Sequence, residues 1–334
     1  MTATAAAADT GPILHAVDLT VTLPGHLNAV DGIDLDLRRG EILGIAGESG
    51  SGKTMTALAL FGLLPTGGRV GGALEFDGTD MTRIGTAALR GMKGKRMAMV
   101  FQDPMTALHP MLPVATQLTE HLRHHTGLGR RAALRRAEEL LAQVRIPDPA
   151  RTLSAYPHQF SGGMRQRIAI AIALACRPEL LVADEPTTAL DVTVQAGILR
   201  LLDQLRREEN LSILLITHDL GVMSALTDRI AVMYAGRIVE TGSTADVLSA
   251  PRHPYTRGLL DALPRSAGDG RSLRPIPGSA PPLTDRPPGC AFHPRCGFAV
   301  DSCAHDRPEL VPIGAGRASA CPVDPLAELP EERT

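Results

Sequence analysis

The segment "GESGSGKT" (Gly47–Thr54) follows the pattern Gly, four residues, Gly-Lys-Thr, which suits phosphate chemistry. Gly47, Gly50 and Gly52 let the backbone turn tightly, so that the N–H groups of the loop, those of Ser49 and Ser51 among them, can point inward at phosphate oxygens. A helix starting near Lys53 adds its positive dipole end. Lys53 would sit against the β- and γ-phosphates, and the Thr54 hydroxyl would ligate Mg²⁺. A chance Lys-Thr in a Gly-rich turn is the bland alternative. The apolar strand before it and the helical "MTALALFGLL" after it weigh against that alternative.

Further along, "LLVADEP" delivers Asp184 and Glu185 at the end of an apolar strand. Asp184 can hold Mg²⁺, directly or through water, and Glu185 can polarise a water for attack on a γ-phosphate. An acidic pair ending a strand is often only a solvated end, but here it accompanies a phosphate loop and a later "THD" (Thr217–Asp219). The segment "FSGGMRQR" is also Gly-rich and lacks the loop lysine. Ser161 can cap the helix that follows, and Gly162 and Gly163 leave its first N–H groups open to an anion.

A second constellation lies in the tail, "GCAFHPRCGFAVDSC" (289–303), with Cys321 beyond it. Five, six and seventeen residues separate Cys290, Cys296, Cys303 and Cys321. These gaps match neither paired C-x₂-C zinc knuckles nor the usual ferredoxin runs. Four thiolates can still converge if the tail folds around a centre, and His293, Arg295 and Arg317 would favour the thiolate forms. A metal cluster, tetrahedral Cys₄ zinc, metal-free thiols and disulfides all stay open. His293 and His305 read better as loop histidines than as ligands. Cys176 reads as a small buried apolar residue.

Positioning these residues takes a mixed α/β fold, because short apolar strands alternate with helical segments. "EILGIA" (Glu41–Ala46), "RMAMVF" (Arg96–Phe101), "LLVAD" (Leu180–Asp184) and "ILLIT" (Ile213–Thr217) read as strands. "IAVMYAGRIVETG" reads as two more around an Ala235-Gly236 turn. From Gln102 to Pro178 the pattern is helical. Its clearest piece puts Leu134, Ala137 and Leu141 on one face and leaves Arg130, Arg131 and Arg135 solvated. "PIPGSAPPLTDRPP" (Pro275–Pro288) reads as an extended linker between core and cysteine-rich tail.

Lys plus Arg (34) balances Asp plus Glu (36), which argues against a nucleic-acid binder. The start of the chain lacks the charge and apolar run of a signal peptide. The apolar "IAIAIALAC" is far short of the ~20 residues that span a bilayer. A cytoplasmic chain is expected, and in a reducing compartment clustered thiols suggest metal or redox chemistry before disulfides.

Together these motifs closely resemble the ATP-binding subunits of ABC transporters. "GESGSGKT" resembles the Walker A motif, "FQDP" the Q-loop, "FSGGMRQR" the signature, "LLVADEP" the Walker B, "TALD" the D-loop and "THD" the H-loop, in the family's order. The resemblance implies a P-loop ATPase core of the ABC type with an antiparallel β subdomain, a helical subdomain (about 103–178) and an irregular Pro/Cys-rich C-terminal extension. It divides the chain into an ATP-binding domain, 12–250, and the extension, 251–334. It implies a head-to-tail dimer with ATP between Walker A of one subunit and the signature (Ser161, Gly162, Gly163) of the other. Gln102 would sense the γ-phosphate and Mg²⁺, His218 would contact the γ-phosphate, and Asp191 would link the two sites. Such subunits usually stack an aromatic on adenine, yet "LTVTLPGHLNAV" (Leu19–Val30) holds none, leaving His26 or an aliphatic residue for that place.

"FQDPMTALHPMLPV", "YPHQFSGGMRQRIAIAIAL" and "HPYTRGLLDALP" narrow the resemblance to the oligopeptide/dipeptide importer branch. That implies a motor on the cytoplasmic face of the membrane. Its partners would be a second ATPase subunit in a heterodimer, two permease subunits that meet the helical stretch from Asp103 to about Leu153, and an external solute-binding protein. It also implies a four-iron four-sulfur cluster on Cys290, Cys296, Cys303 and Cys321, with Zn²⁺ as the alternative. Nickel, glutathione or oligosaccharide cargo stays open beside peptides. The readings from other classes are a soluble ABC ATPase acting on nucleic acid and an iron–sulfur sensor uncoupled from transport.

Overall fold

A computed structural model describes residues 11–103, 107–188, 190–263 and 274–324. The sequence expectations that fall on 104–106, on Ala189 of "TALD" and on 325–334 lie outside the described residues. Two sheets organise the chain. One has four strands in the order β2-β1-β4-β5, and the other has eight in the order β11-β12-β10-β9-β3-β8-β7-β6.

The smaller sheet is built on β1 (Leu14–Leu23) and β2 (Leu27–Leu37), which alternate buried and exposed residues because only one face is covered. It is completed by β4 (Arg69–Phe76) and β5 (Thr79–Asp80), all its pairings being antiparallel. The turn between β1 and β2 carries His26, exposed and at φ 60°.

The larger sheet holds β3 (Ile42–Ala46), β7 (Leu180–Asp184) and β8 (Ser212–Ile216), every residue of them buried. They read as unbroken apolar runs because both faces are covered. β6 (Met97–Val100), β7, β8, β3 and β9 (Arg229–Tyr234) run parallel. Ile45 pairs with Ile216, Asp184 with Ile216 and Val100 with Ala183, so these strands end at one edge. That register gathers the segments after Ala46, Val100, Asp184 and Ile216, as open parallel sheets do at their ligand edge. β9 turns into β10 (Arg237–Ser243) through Ala235 at φ 45° and Gly236 at φ 83°.

Among the described residues the helices are, in chain order, α1 (Lys53–Leu60), α2 (Thr86–Met92), α3 (Val114–Thr126), α4 (Arg130–Gln143), α5 (Pro149–Ser154), α6 (Gly162–Ala173), α7 (Val192–Glu209), α8 (Leu220–Leu226), α9 (Thr244–Ser249) and α10 (Pro254–Asp261). α3 buries Val114, Leu118 and Leu122 at helical spacing, and α4 buries Ala133, Ala137, Leu140 and Leu141. The apolar face of α4 is therefore centred away from Leu134, which is half-buried, while Arg130, Arg131 and Arg135 are exposed as expected.

The extension is not held apart from the core by its prolines. Ile276 and Ala280 pack on one buried cluster and Leu283 on the other. β12 (Arg317–Ser319) pairs with β10 and with β11 (Val311–Gly314), covering what would be an open sheet edge.

Candidate nucleotide site

The loop from Gly47 to Gly52 leaves β3 and enters α1. A side chain at Gly52 (φ 109°) would stand 2.6 Å from the Ala29 carbonyl, so both conformation and space demand glycine there. Lys53, 5 % exposed, donates from Nζ to the Gly47 carbonyl at 2.7 Å and the Glu48 carbonyl at 2.8 Å. Burial lowers its pKa, while Glu185, Asp184 and Glu48 support the charged form. Gly47, Ser49, Gly50 and Ser51 complete the loop, and Ser51 Oγ also accepts from the ammonium at 3.4 Å.

Thr54 Oγ1 donates to Asp184 Oδ1 across 3.3 Å, joining the start of α1 to the end of β7. Burial raises the Asp184 pKa and the Glu185 charge adds to this, against the Thr54 hydrogen bond and the Lys53 charge. A hydroxyl and a carboxylate oxygen side by side form a hard-oxygen donor set that fits Mg²⁺.

Glu185 follows at φ 47°, in the left-handed region that a non-glycine residue occupies only when its surroundings hold it there. Its Oε2 accepts from Gln102 Nε2 at 2.9 Å and from Thr188 Oγ1 at 2.9 Å. Its Oε1 lies 3.1 Å from His218 Nδ1. Side chains after β6, β7 and β8 thus meet on one carboxylate, and its orientation is fixed from three sides.

The signature segment has other neighbours. Ser161 caps α6 by accepting from Met164 N–H at 3.3 Å. Gly163 packs so closely on α7 that an added Cβ would be 2.4 Å from Val194 Cγ1. Asp191 caps α7, accepting from Val194 N–H at 2.9 Å. Ser161 and Asp191 are both helix N-caps, on a different element pair from the Lys53 loop.

In the tail, Cys290 N–H donates to the Cys303 carbonyl at 2.9 Å, and all five cysteines are free thiols. Burial pushes Cys321 up to about 11, and charge on Cys296, Cys290 or Cys303 would act in the same direction. Burial also raises Cys290 and Cys296. The expectation that nearby basic residues favour thiolates is corrected here. Arg295 is engaged by Glu48, Arg317 by Glu240, and His293 Nδ1 by the Cys290 carbonyl. Among the described residues no three or more His, Cys, Asp or Glu side chains are arranged to hold a metal ion. The thiols lie within electrostatic reach of one another without forming such a group.

Sequence motifs did not single out Tyr255 and Arg295, which contact the phosphate loop at Glu48. No local sequence signal points to either contact, since Tyr255 and Arg295 lie 207 and 247 positions from Glu48.

Comparison with known proteins identifies the family. Residues 30–188 match the ABC transporter family, and residues 239–303 match the oligopeptide/dipeptide transporter C-terminal region. The chain is 47 % identical to the oligopeptide transport ATP-binding protein OppD of Salmonella typhimurium, over 98 % of each chain. It is 50 % identical to the dipeptide transport ATP-binding protein DppD of Escherichia coli, over 88 % of this chain and 90 % of that one. Among solved structures, the ATP-binding cassette MJ0796, a dimer in a post-hydrolysis state bound to ADP and Pi, superposes with a TM-score of 0.62 at 26 % identity, covering 69 % of this chain and 98 % of its own. Among the described residues no helix is long and apolar enough to cross a membrane. The chain belongs to the ATP-hydrolysing, ATP-binding subunits of ABC transporters, in their oligopeptide/dipeptide branch.

Proposed function

We propose that this chain is the ATP-driven motor of an importer for di- or oligopeptides, acting at the cytoplasmic face of the membrane. The observation that carries the motor reading is the single carboxylate of Glu185 held by Gln102, Thr188 and His218 beside the Lys53 loop. Lys53 would exchange the Gly47 and Glu48 carbonyls for the β- and γ-phosphates, and the N–H groups of Ser49 to Gly52 would line the phosphate oxygens. Thr54, Asp184 and Gln102 would hold Mg²⁺, which supplies charge neutralisation on the phosphates. Glu185 would accept a proton from the attacking water, with His218 and Gln102 keeping the carboxylate aimed. Ser161, Gly162 and Gly163 would close over the ATP of a partner ATPase, and Asp191 would sit between the two sites. One copy of each motif supports a pair of subunits, and we favour a heterodimer.

An apolar groove lined by Leu63, Ala98, Phe101, His121 and Ala173 lies beside the Gln102 segment, with Leu63 44 % and Phe101 40 % exposed. It supports contact with a permease subunit, which with a solute-binding protein completes the importer. The peptide cargo rests on the relatives' names and on the match of the extension. We place the boundary between ATP-binding domain and extension near residue 250, between α9 and α10. For Cys290, Cys296, Cys303 and Cys321 the proposed ligand is a four-iron four-sulfur cluster; the reading rests on the match of the extension to the oligopeptide/dipeptide transporter C-terminal region and not on the arrangement of the described side chains, which form no metal-holding group. No step of hydrolysis runs through it. Iron content and a visible absorption band in anaerobically purified protein test it, and the absence of both rejects it. The function is tested by uptake of labelled peptides in cells lacking the chain. Restoration by the wild type and not by Glu185→Gln is expected, and uptake independent of Glu185 rejects the motor role.

A further inference from the structure

Glu48 is the second residue of the phosphate loop, and its polar groups are held from two directions. Its backbone N–H donates to Tyr255 Oη at 2.8 Å. Its carboxylate receives both ends of the Arg295 guanidinium, Nη1 to Oε2 at 2.6 Å and Nη2 to Oε1 at 3.0 Å. Its carbonyl accepts from Lys53 Nζ at 2.8 Å. The first two partners come from the extension and the third from the loop's own lysine.

Arg295 is itself fixed. It is 9 % exposed, donates from Nε to the Pro277 carbonyl at 2.9 Å, and reaches Tyr234 Oη at 3.3 Å and the Gly278 carbonyl at 3.4 Å. Its guanidinium lies 5.9 Å from the Tyr234 ring centre and 6.0 Å from that of Phe292. Tyr234, Tyr255 and Phe292 form one aromatic cluster with ring centres 4.6 to 5.3 Å apart. Two residues beyond Tyr234, Gly236 N–H donates to the Ser51 carbonyl at 2.7 Å. The loop is therefore held at Glu48 by this cluster and at Ser51 by the backbone two residues past Tyr234.

We propose that the C-terminal extension is a working part of the nucleotide site, with Arg295 and Tyr255 as positioning residues that set the phosphate loop for ATP through Glu48. The proposal rests on the reading of Gly47–Thr54 as the phosphate loop. An exposed ion pair would be worth little. This one is partly buried, with the Arg295 side chain 7 % and the Glu48 side chain 30 % exposed, and it is bidentate and braced by carbonyl acceptors, the arrangement in which an arginine fork fixes geometry. The Tyr255 hydroxyl also occupies the Glu48 N–H, so the donors left for phosphate begin at Ser49. A loop ordered before ATP arrives spares the nucleotide that ordering cost. Loosening the grip should therefore weaken ATP binding and leave the Glu185, Gln102 and His218 group, on other strands, intact.

The test measures ATPase kinetics and fluorescent-ATP affinity on the full-length chain for Arg295→Met, Arg295→Lys, Glu48→Gln, Glu48→Gln/Arg295→Met, Tyr255→Phe and Lys53→Ala. Arg295→Met and Glu48→Gln are each expected to raise KM for ATP about 10- to 30-fold, as for loss of a partly buried charged hydrogen bond, with kcat at saturation within about twofold. The double variant should be no worse than the poorer single one, and Arg295→Lys should recover part of the loss. An unchanged KM in Arg295→Met overturns the proposal, as does a double variant whose loss is the product of the singles, or a fall in kcat that follows thermal stability alone. Should Arg295→Met fail to fold, Tyr255→Phe decides, with KM raised about 3- to 10-fold for one lost hydrogen bond and an unchanged KM overturning the proposal. Normal hydrolysis by Lys53→Ala overturns the phosphate-loop reading itself, whereas lost hydrolysis in Lys53→Ala beside an unchanged KM in Arg295→Met overturns only the proposal about the extension.

Discussion

His218 Nδ1 lies 3.1 Å from Glu185 Oε1, and Gln102 reaches the other oxygen of the same carboxylate. A base held this way needs no rotation before it takes a proton from water. Glu185→Gln keeps the shape and one acceptor oxygen while removing the basicity. Hydrolysis should fall about 100- to 10,000-fold, the range for a lost general base. ATP binding should persist, because Lys53 and the loop are untouched. Phosphate release and equilibrium ATP binding on the same preparation check this, and parallel loss of both would reassign Glu185 to binding.

Asp184 presents the opposite balance. Burial and the neighbouring Glu185 raise its pKa, so the nucleotide-free chain pays for keeping it ionised. The sign follows directly. A carboxyl with a raised folded pKa binds its proton more tightly when folded, so it penalises the fold above that pKa, and the penalty fades as pH falls toward the unfolded value of 3.8. Asp184→Asn should therefore melt higher at neutral pH, and the gap should narrow on acidification. The same variant should lose Mg²⁺-dependent hydrolysis. Melting curves with and without Mg²⁺-ATP measure both effects.

The helix-start glycine Gly163 tests packing between α6 and α7. A methyl there would meet Val194 Cγ1 at 2.4 Å, and a β-branched side chain has few rotamers with which to retreat. Gly163→Ala should destabilise the chain by about 1–3 kcal/mol, the cost of overpacking. Val194→Ala in the same chain should restore most of the loss. Denaturant midpoints of the two single variants and the double variant measure the coupling.

What could be read from sequence follows from how local each cause is. The Lys53 loop, the Asp184–Glu185 pair and His218 are legible because phosphate chemistry dictates residue types within a few positions of each other. β3, β7 and β8 are legible because burial on both faces makes them wholly apolar. The grip on Glu48 is not, since Arg295 lies 247 positions away and nothing in its own segment encodes the partner. The Pro275–Pro288 segment looked like a spacer because proline marks extended backbone, whether or not Ile276 and Leu283 then pack on the core. Arg295 and Arg317 looked like thiolate partners by proximity in sequence, but Glu48 and Glu240 claim them in space.

The buried His253 gives the chain a defined acid limit. It is 1 % exposed, and its Nδ1 accepts the Tyr255 N–H at 3.0 Å, which caps α10 and sets Tyr255 under the phosphate loop. Burial lowers its pKa from 6.5 to about 3. The unfolded chain thus binds a proton that the folded one refuses between those values, so full stability is present above pH 6.5 and is lost as pH falls toward 3. At about 1.4 kcal/mol per unit, the whole interval is on the order of 4–5 kcal/mol. His253→Asn can still accept the Tyr255 N–H and does not titrate. It should flatten the slope of stability against pH below 6.5, at a modest cost near neutrality. Urea titrations at pH 7.5, 6.0 and 5.0, about one pH unit or more apart, resolve a slope of this size. Equal slopes in the wild type and His253→Asn would mean that another group sets the acid limit.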